Sequence, residues 1–337
     1  MLRTVTACLC NLLLLRALPA LADCSPIDRF TATEQAARVI VGRVVTTSGI
    51  GQATVTAIET LKGPAQPARL KLAYNPMEGI SLVPRERYVL FLDAAGHVMG
   101  GCTSRALPNP REGAEIVDAL RSWQHSSDAE ARTALLVRLG THGAKAIAED
   151  ALLCLGASPQ LLAAVSSAQR DALAAVIPVT RDERAYALSW ALARLHAIAT
   201  LPAWITWLDQ PQPGANSRPI QEALELMTNH HDPGYTLGRD FDSQQGALLR
   251  AGWIRWTEAH GKEPLSRTLT SGFSERVQRA ISLDDPADLA DVYTHSTDPL
   301  TRLVALNACE LRAKRADSKM SQAGITPQPD AVAACTR

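Results

Sequence analysis

Residues 37 to 45 read Ala-Arg-Val-Ile-Val-Gly-Arg-Val-Val, and after a short polar turn residues 53 to 63 read Ala-Thr-Val-Thr-Ala-Ile-Glu-Thr-Leu-Lys-Gly. In the first run Val39, Val41, Arg43 and Val45 alternate with Ile40, Gly42 and Val44, so both faces are largely apolar. That is the pattern of a strand covered on two sides or curled into a barrel. Gly42 in mid-strand predicts a bend or bulge. The β-branched Thr54, Val55, Thr56 and Ile58 mark a second strand, which Lys62-Gly63-Pro64 ends. Leu70, Leu72 and Tyr74 alternate with Lys71 and Ala73 and predict a third. Tyr88 to Leu92 is a fourth, closed by Asp93-Ala-Ala-Gly96, and His97 to Met99 makes a short return towards Cys102. A helical turn is expected over Thr31 to Ala37. About five short, regularly spaced strands of this kind predict a small closed barrel or sandwich.

Met1-Leu2-Arg3, the apolar run Ala7 to Leu15 and the small residues Ala20 and Ala22 have the layout of a secretory signal peptide cut after Ala22. An uncleaved anchor is the alternative, although the run is short for a membrane span, which takes about 20 residues. Export agrees with the cysteines. Cys8 and Cys10 leave with the signal, whereas Cys24, Cys102, Cys154, Cys309 and Cys335 remain. Oxidising compartments permit bridges. Cys24 to Cys102 is the first candidate, tying the start of the β domain to its last strand, and Cys309 to Cys335 is a second. Cys154, inside Ala151-Leu-Leu-Cys-Leu155, reads as a buried thiol. The 34 basic and 34 acidic residues balance, which argues against nucleic acid as a partner because phosphate binding needs concentrated positive charge.

Cys24, a Val-Gly-Arg-Val strand, a strand ending in Leu-Lys-Gly, the run Arg87-Tyr-Val-Leu-Phe-Leu92 and the closing Gly100-Gly-Cys-Thr103 together resemble the netrin-type module. That family includes the tissue inhibitors of metalloproteinases. The resemblance covers Cys24 to Pro108 and implies an OB-type barrel. In the inhibitor branch the first cysteine is the mature N-terminus, and its amine and carbonyl chelate the protease zinc. Cys24 occupies that place here, with Asp23 before it after the expected cut and Ser25-Pro26 where the branch has Cys-x-Cys.

From Arg111 the apolar period changes from 2 to 3.6. Ile116, Val117, Leu120 and Trp123 give a first amphipathic helix. Ser127-Asp-Ala-Glu130 has the form of a capping box, with Ala131, Leu135 and Leu139 on one face and Gly140 as the stop. Ser166 to Gln169 starts a helix carrying Leu173, and Thr180 to Glu183 starts one carrying Tyr186, Trp190 and Ala193. Asp285-Pro286 and Asp298-Pro299 each read as an N-cap followed by proline at the first helical position. The recurring Asp, Arg and small-residue pattern (Asp128/Arg132/Leu135, Asp182/Arg184/Ala187, Asp298/Arg302/Ala305) is similar to HEAT-type repeats, which stack helix pairs into a solenoid. The pairs Trp204/Trp207 and Trp253/Trp256 read as core packing. Pro211 to Pro219 and Asn229 to Asp242 break the array.

The expected organisation is α+β and multidomain. It comprises a signal peptide over 1–22, an OB-like β-barrel over 23–108, a HEAT-like helical domain over 111–314 and a tail over 315–337. The densest set of potential ligands is His230, His231, Asp232, Asp240 and Asp242, with His260 further along. Imidazole and carboxylate together suit a divalent metal, yet the spacing matches no zinc signature, and Asp232-Pro233-Gly234 is an ordinary turn. There is no Gly-x-Ser-x-Gly, phosphate loop or dinucleotide fingerprint. The reading is a periplasmic or secreted binding module with a protein partner, no catalytic residues, no cofactor and no membrane span in the mature chain. The alternatives are metalloprotease inhibition through Cys24 and a metal-dependent enzyme using the His230 to Asp242 loop.

Overall fold

The computed structural model describes residues 27–48, 51–78, 80–100, 104–180, 184–208, 217–236 and 241–309. The segment 1–22 expected to be a signal peptide, and Cys24, Cys102, Cys335 and Asp240, lie outside the described residues. The protein is α+β, and its contacts divide it into two compact units, Met1–His125 and Ser126–Arg337.

The first described element of the first unit is helix α1 (Arg29–Gln35), placed by the Asp28 carboxylate. That group accepts from Thr31 N at 2.8 Å and from the Thr31 hydroxyl at 2.7 Å. Strands β1 (Arg38–Ser48), β2 (Gln52–Lys62), β3 (Arg69–Ala73) and β4 (Arg87–Leu92) form an antiparallel sheet in the order β3-β2-β1-β4. Central β1 pairs with β2 on one side and β4 on the other. Both of its faces are covered, since neighbouring Val39, Ile40 and Val41 are all buried. One layer of side chains, including Ile40, Val44, Val55, Tyr88 and Leu90, makes a continuous core with Ile80 and Leu82.

The irregularity expected at Gly42 is present. The β1–β2 register slips between Val41 and Gly42, and a Cβ on Gly42 would stand 2.4 Å from Val55 Cγ1. The expected fifth strand is reduced to an isolated bridge between Val98 and Leu92. This segment nevertheless bonds both ends of the sheet order: Met99 N donates to Phe91 O at 2.8 Å and Val98 N to Ala73 O at 2.9 Å.

Helix α2 (Pro110–His125) also belongs to this unit, so the compact body runs past the Pro108 boundary read from the sequence. Its Arg121 donates to Glu59 at 2.7 Å and its Trp123 indole to Glu34 at 2.8 Å. The Trp123 ring lies 5.2 Å from Phe30.

The second unit is helical: α3 (Ala129–His142), α4 (Lys145–Ala157), α5 (Pro159–Ala163), α6 (Ser167–Ala175), α7 (Arg184–Arg194), α8 (Leu201–Ile205), α9 (Ser217–Thr228), α10 (Ser243–His260), α11 (Leu265–Val277), α12 (Pro286–His295) and α13 over residues 299–309. Helices α3 and α4 pack together, α4 packs on α7, and α7 packs on α9. Small residues permit these approaches. A Cβ on Gly156 of α4 would meet the Ala191 backbone of α7 at 3.4 Å.

Several helix starts are as read. Ser166 and Gln169 make a reciprocal capping box, and Asp285 caps α12 with proline next to it. Other details differ. Asp128, not Ser127, caps α3 by accepting from Ala131 N at 2.7 Å. Gly140 does not stop that helix. It lies inside, where a Cβ would come within 2.8 Å of Leu152. In α7 the buried stripe is Ala185, Ala187, Leu188, Ala191 and Leu192, whereas Tyr186 is exposed. All four tryptophans at 204, 207, 253 and 256 are buried. Among the described residues no helix is long and apolar enough to cross a membrane.

Candidate functional site

Helix α9 is apolar on its inner face, with Ile220, Ala223, Leu224 and Met227 buried, yet Gln221 and Glu225 are buried on it too. A buried carboxylate is costly unless it is paired and hydrogen-bonded, and every neighbour of Glu225 answers that cost. Gln221 Nε2 donates to it at 3.0 Å, and Arg276 of α11 donates at 2.6 Å. The Gln221 amide oxygen in turn accepts from the Trp253 indole at 2.7 Å.

Arg276 is as buried as its partner. Its Nε donates to Asn229 O at 2.9 Å, and its Nη2 adds His230 O at 2.9 Å to Glu225. Its Nη1 reaches Asp298 at 3.3 Å and Thr301 Oγ1 at 3.1 Å. Every N–H of the guanidinium therefore has an acceptor, the full complement that this side chain can use. The acceptors come from α9, the loop after it and the start of α13, so Arg276 fastens three segments to its own helix.

Asn229 takes a left-handed conformation, φ 63°, which asparagine tolerates better than most residues. The turn sends the two adjacent histidines apart. His230 enters the space between α10 and α11. It stacks on Trp256 with centroids 5.0 Å apart and meets Trp253 edge-on at 5.3 Å. His260 packs on Trp256 as well, also at 5.0 Å. Glu275 ties this aromatic set together: it accepts from the Trp256 indole at 2.9 Å and lies 3.4 Å from His260 Nε2. His230 Nδ1 is 2.8 Å from Glu275 Oε2. Burial holds the His230 imidazole below its ordinary value, with Glu275 opposing in part.

His231 goes the other way. Its Nδ1 is 3.1 Å from both oxygens of Glu225. That hydrogen bond raises its affinity for a proton against a smaller burial effect. Asp232 turns back to accept from Gly234 N at 2.8 Å, and Asp242 caps α10. The weak metal candidates His230, His231 and Asp232 thus face three different partners. Among the described residues no group of three His, Cys, Asp or Glu side chains is placed to hold a metal ion.

The convergence instead leaves an open trough of about 610 Å³ with a mixed polar and apolar lining. Its walls are the loop residues His231, Tyr235 and Thr236, the end of α11 with Arg276 and Arg279, the face of α12 with Asp291 and His295, and Thr297, Asp298 and Thr301. Arg279 donates to Asp288 at 3.1 Å and to Asp291 at 2.8 Å. Hydrogen bonds from the Thr301 hydroxyl and amide, with Arg276, hold the Asp298 carboxyl below its ordinary value although burial pushes it the other way.

A second polar clip lies at the same C-terminal end of α9. The buried His196, also left-handed at φ 46°, has Nδ1 2.8 Å from Met227 O and Nε2 3.1 Å from Asn307 Nδ2. The neutral tautomer with its proton on Nδ1 satisfies both.

The sequence reading singled out His230, His231 and His260 but not the groups that organise them: Glu225, Glu275, Arg276 and Arg279. One signal was available, a Gln221/Glu225 pair at i, i+4 on an otherwise apolar helix face. Cys154 is a buried thiol in α4.

No family model, curated protein or solved structure matches the chain.

Proposed function

We propose that this chain is an exported, non-catalytic recognition protein in which an OB-type β unit, similar to the netrin module, precedes a HEAT-like helical array. The observation that carries the recognition reading is the trough. The buried ion pair beneath it, Glu225 with Arg276, is consumed in holding helices together, while its open wall mixes polar side chains with Tyr235, Val277 and Val292 and is of a size typical of ligand clefts. Two further observations support the architecture. Segment 97–99 bonds to both β3 and β4, as a nearly closed barrel requires. Helices α3, α4, α7 and α9 pack in succession, as stacked repeats do.

Two measurements test the reading. Intact mass of the unreduced protein recovered outside the cytoplasm should show a chain beginning at Asp23 and carrying a Cys24 to Cys102 bridge. A free amine on Cys24 would transfer the proposal to metalloprotease inhibition. Photo-crosslinking groups placed at Thr236 and Thr297 should give a discrete, saturable adduct in the native compartment that the same group at Glu130 does not. No adduct at the trough, with the variants folded, would overturn the recognition reading.

A further inference from the structure

Hydrogen-bond supply and demand around the trough are unequal. Of its two carboxylates, Asp298 is engaged on both oxygens and Asp291 on one. Asp298 Oδ1 accepts from Leu300 N at 3.3 Å, and its Oδ2 accepts from Thr301 N at 2.9 Å, from the Thr301 hydroxyl and from Arg276. Asp291 takes Arg279 on one oxygen, while His295 Nδ1, 3.0 Å from the other, has its hydrogen bond to the Asp291 backbone carbonyl. The donors are in surplus. His231 is anchored through Nδ1 alone, and its Nε2 has no partner among the described residues. A ring whose one nitrogen is held by a buried carboxylate, and which is itself half-exposed on the trough wall, turns its other nitrogen outwards. Arg279 spends one N–H of each terminal nitrogen on Asp288 and Asp291 and keeps the remainder. Thr236 and Thr297 add hydroxyls to the same lining.

We infer that this trough binds a small oxyanion-bearing ligand, a phosphate or carboxylate group, with His231 Nε2 and the unused N–H groups of Arg279 as its donors. Charge-assisted hydrogen bonds from an imidazolium and a guanidinium to such a group are the stronger kind. The carboxylate behind the imidazole fixes its orientation before the ligand arrives, so less freedom is lost on binding. Arg276 takes no part in the contact because all of its donors are used inside. The inference rests on the trough being a recognition site, and it names the ligand chemistry.

Binding should depend on the charge of His231. The groups that bear on that ring are Glu225 on α9, Arg276 on α11 and Asp298 before α13, with Asp291 and His295 of α12 on the facing wall. Glu225 keeps the ring charged to higher pH than an ordinary histidine. The donor is lost once the medium rises through that elevated midpoint.

The test is calorimetric titration of the full mature chain with inorganic phosphate, and separately with acetate, at about pH 6 and about pH 9, on either side of the histidine range. Nitrogen-15 spectra of the histidine side chains are recorded in parallel. Saturable phosphate binding is expected at the lower pH, with His231 Nε2 the most shifted ring nitrogen and affinity about tenfold lower at the higher pH. Acetate binding as well would assign a general oxyanion site, whereas phosphate alone would assign a phosphate site. Arg279→Gln and His231→Asn should each weaken binding about tenfold while the thermal transition stays cooperative. The inference is overturned if neither anion saturates, or if both variants bind like the parent. Failure here alongside a positive crosslink at Thr297 would refute the ligand class and leave the recognition reading intact.

Discussion

Replacing Arg276 with methionine removes a guanidinium whose every donor is used and strands a carboxylate that has almost no solvent access. The side chains of Arg276 and Glu225 are 2% and 1% exposed, so bulk screening does not soften their interaction. Removing one partner of such a pair costs about 3–5 kcal/mol, towards the lower end here because Gln221 and His231 still contact Glu225. The Asp298 arm adds less, since that carboxylate is 38% exposed and half-exposed pairs contribute only about 0–1 kcal/mol. For a body of this size about 1 kcal/mol moves the thermal midpoint by roughly 2–4 °C, so the variant should melt about 6–20 °C lower. Urea unfolding followed by tryptophan fluorescence is the assay, because Trp253 and Trp256 lie next to the network. A second variant sharpens it. Adding Glu225→Gln to Arg276→Met removes the stranded charge, so the double variant should be more stable than Arg276→Met alone. A loss below about 1 kcal/mol for Arg276→Met, or strictly additive losses in the pair, would refute the argument that the buried ion pair is coupled.

Gly42→Ala should destabilise the β unit by about 1–3 kcal/mol, as overpacking does, because its Cβ meets Val55 Cγ1 at 2.4 Å; chemical denaturation of the variant checks it. Asp128→Ala should cost about 1 kcal/mol as the loss of an N-cap, whereas Ser127→Ala should cost almost nothing, and comparison of the two denaturation midpoints decides which residue caps α3. The adjacent histidines should titrate on opposite sides of their ordinary value of 6.5, His230 below it and His231 above it, by NMR of the ring protons. In stability terms the His231 contribution is complete below its unfolded value and is lost as pH rises through the elevated folded value. The His230 contribution is complete above its unfolded value and is lost as pH falls towards the depressed folded one. Glu225→Gln should bring the His231 midpoint down while leaving the sign of the His230 displacement unchanged.

What the sequence determined about this protein is what neighbouring residues decide among themselves. The alternation of Val39 to Val45 and the stop at Lys62-Gly63-Pro64 specify two strands, because side chains alternate faces with period 2. Ser166 and Gln169 specify a helix start, because a hydroxyl and an amide three positions apart satisfy each other's backbone donors. Asp285 before Pro286 does the same for α12. Even here a one-residue choice escaped. Ser127 and Asp128 are both competent caps, and in the folded chain it is Asp128 that accepts from Ala131 N.

Tertiary structure alone decided the site. His230 and His231 are adjacent in sequence, yet one reaches Glu275 and the other Glu225, because the left-handed Asn229 directs the chain between two layers of helix. Arg276 carries no motif. Its role comes from acceptors on α9, on the loop after it and at the start of α13, separated from it by 51, 47 and 25 positions. No local pattern records pairings at that distance. They exist because a buried charge must find partners wherever the packed helices bring them.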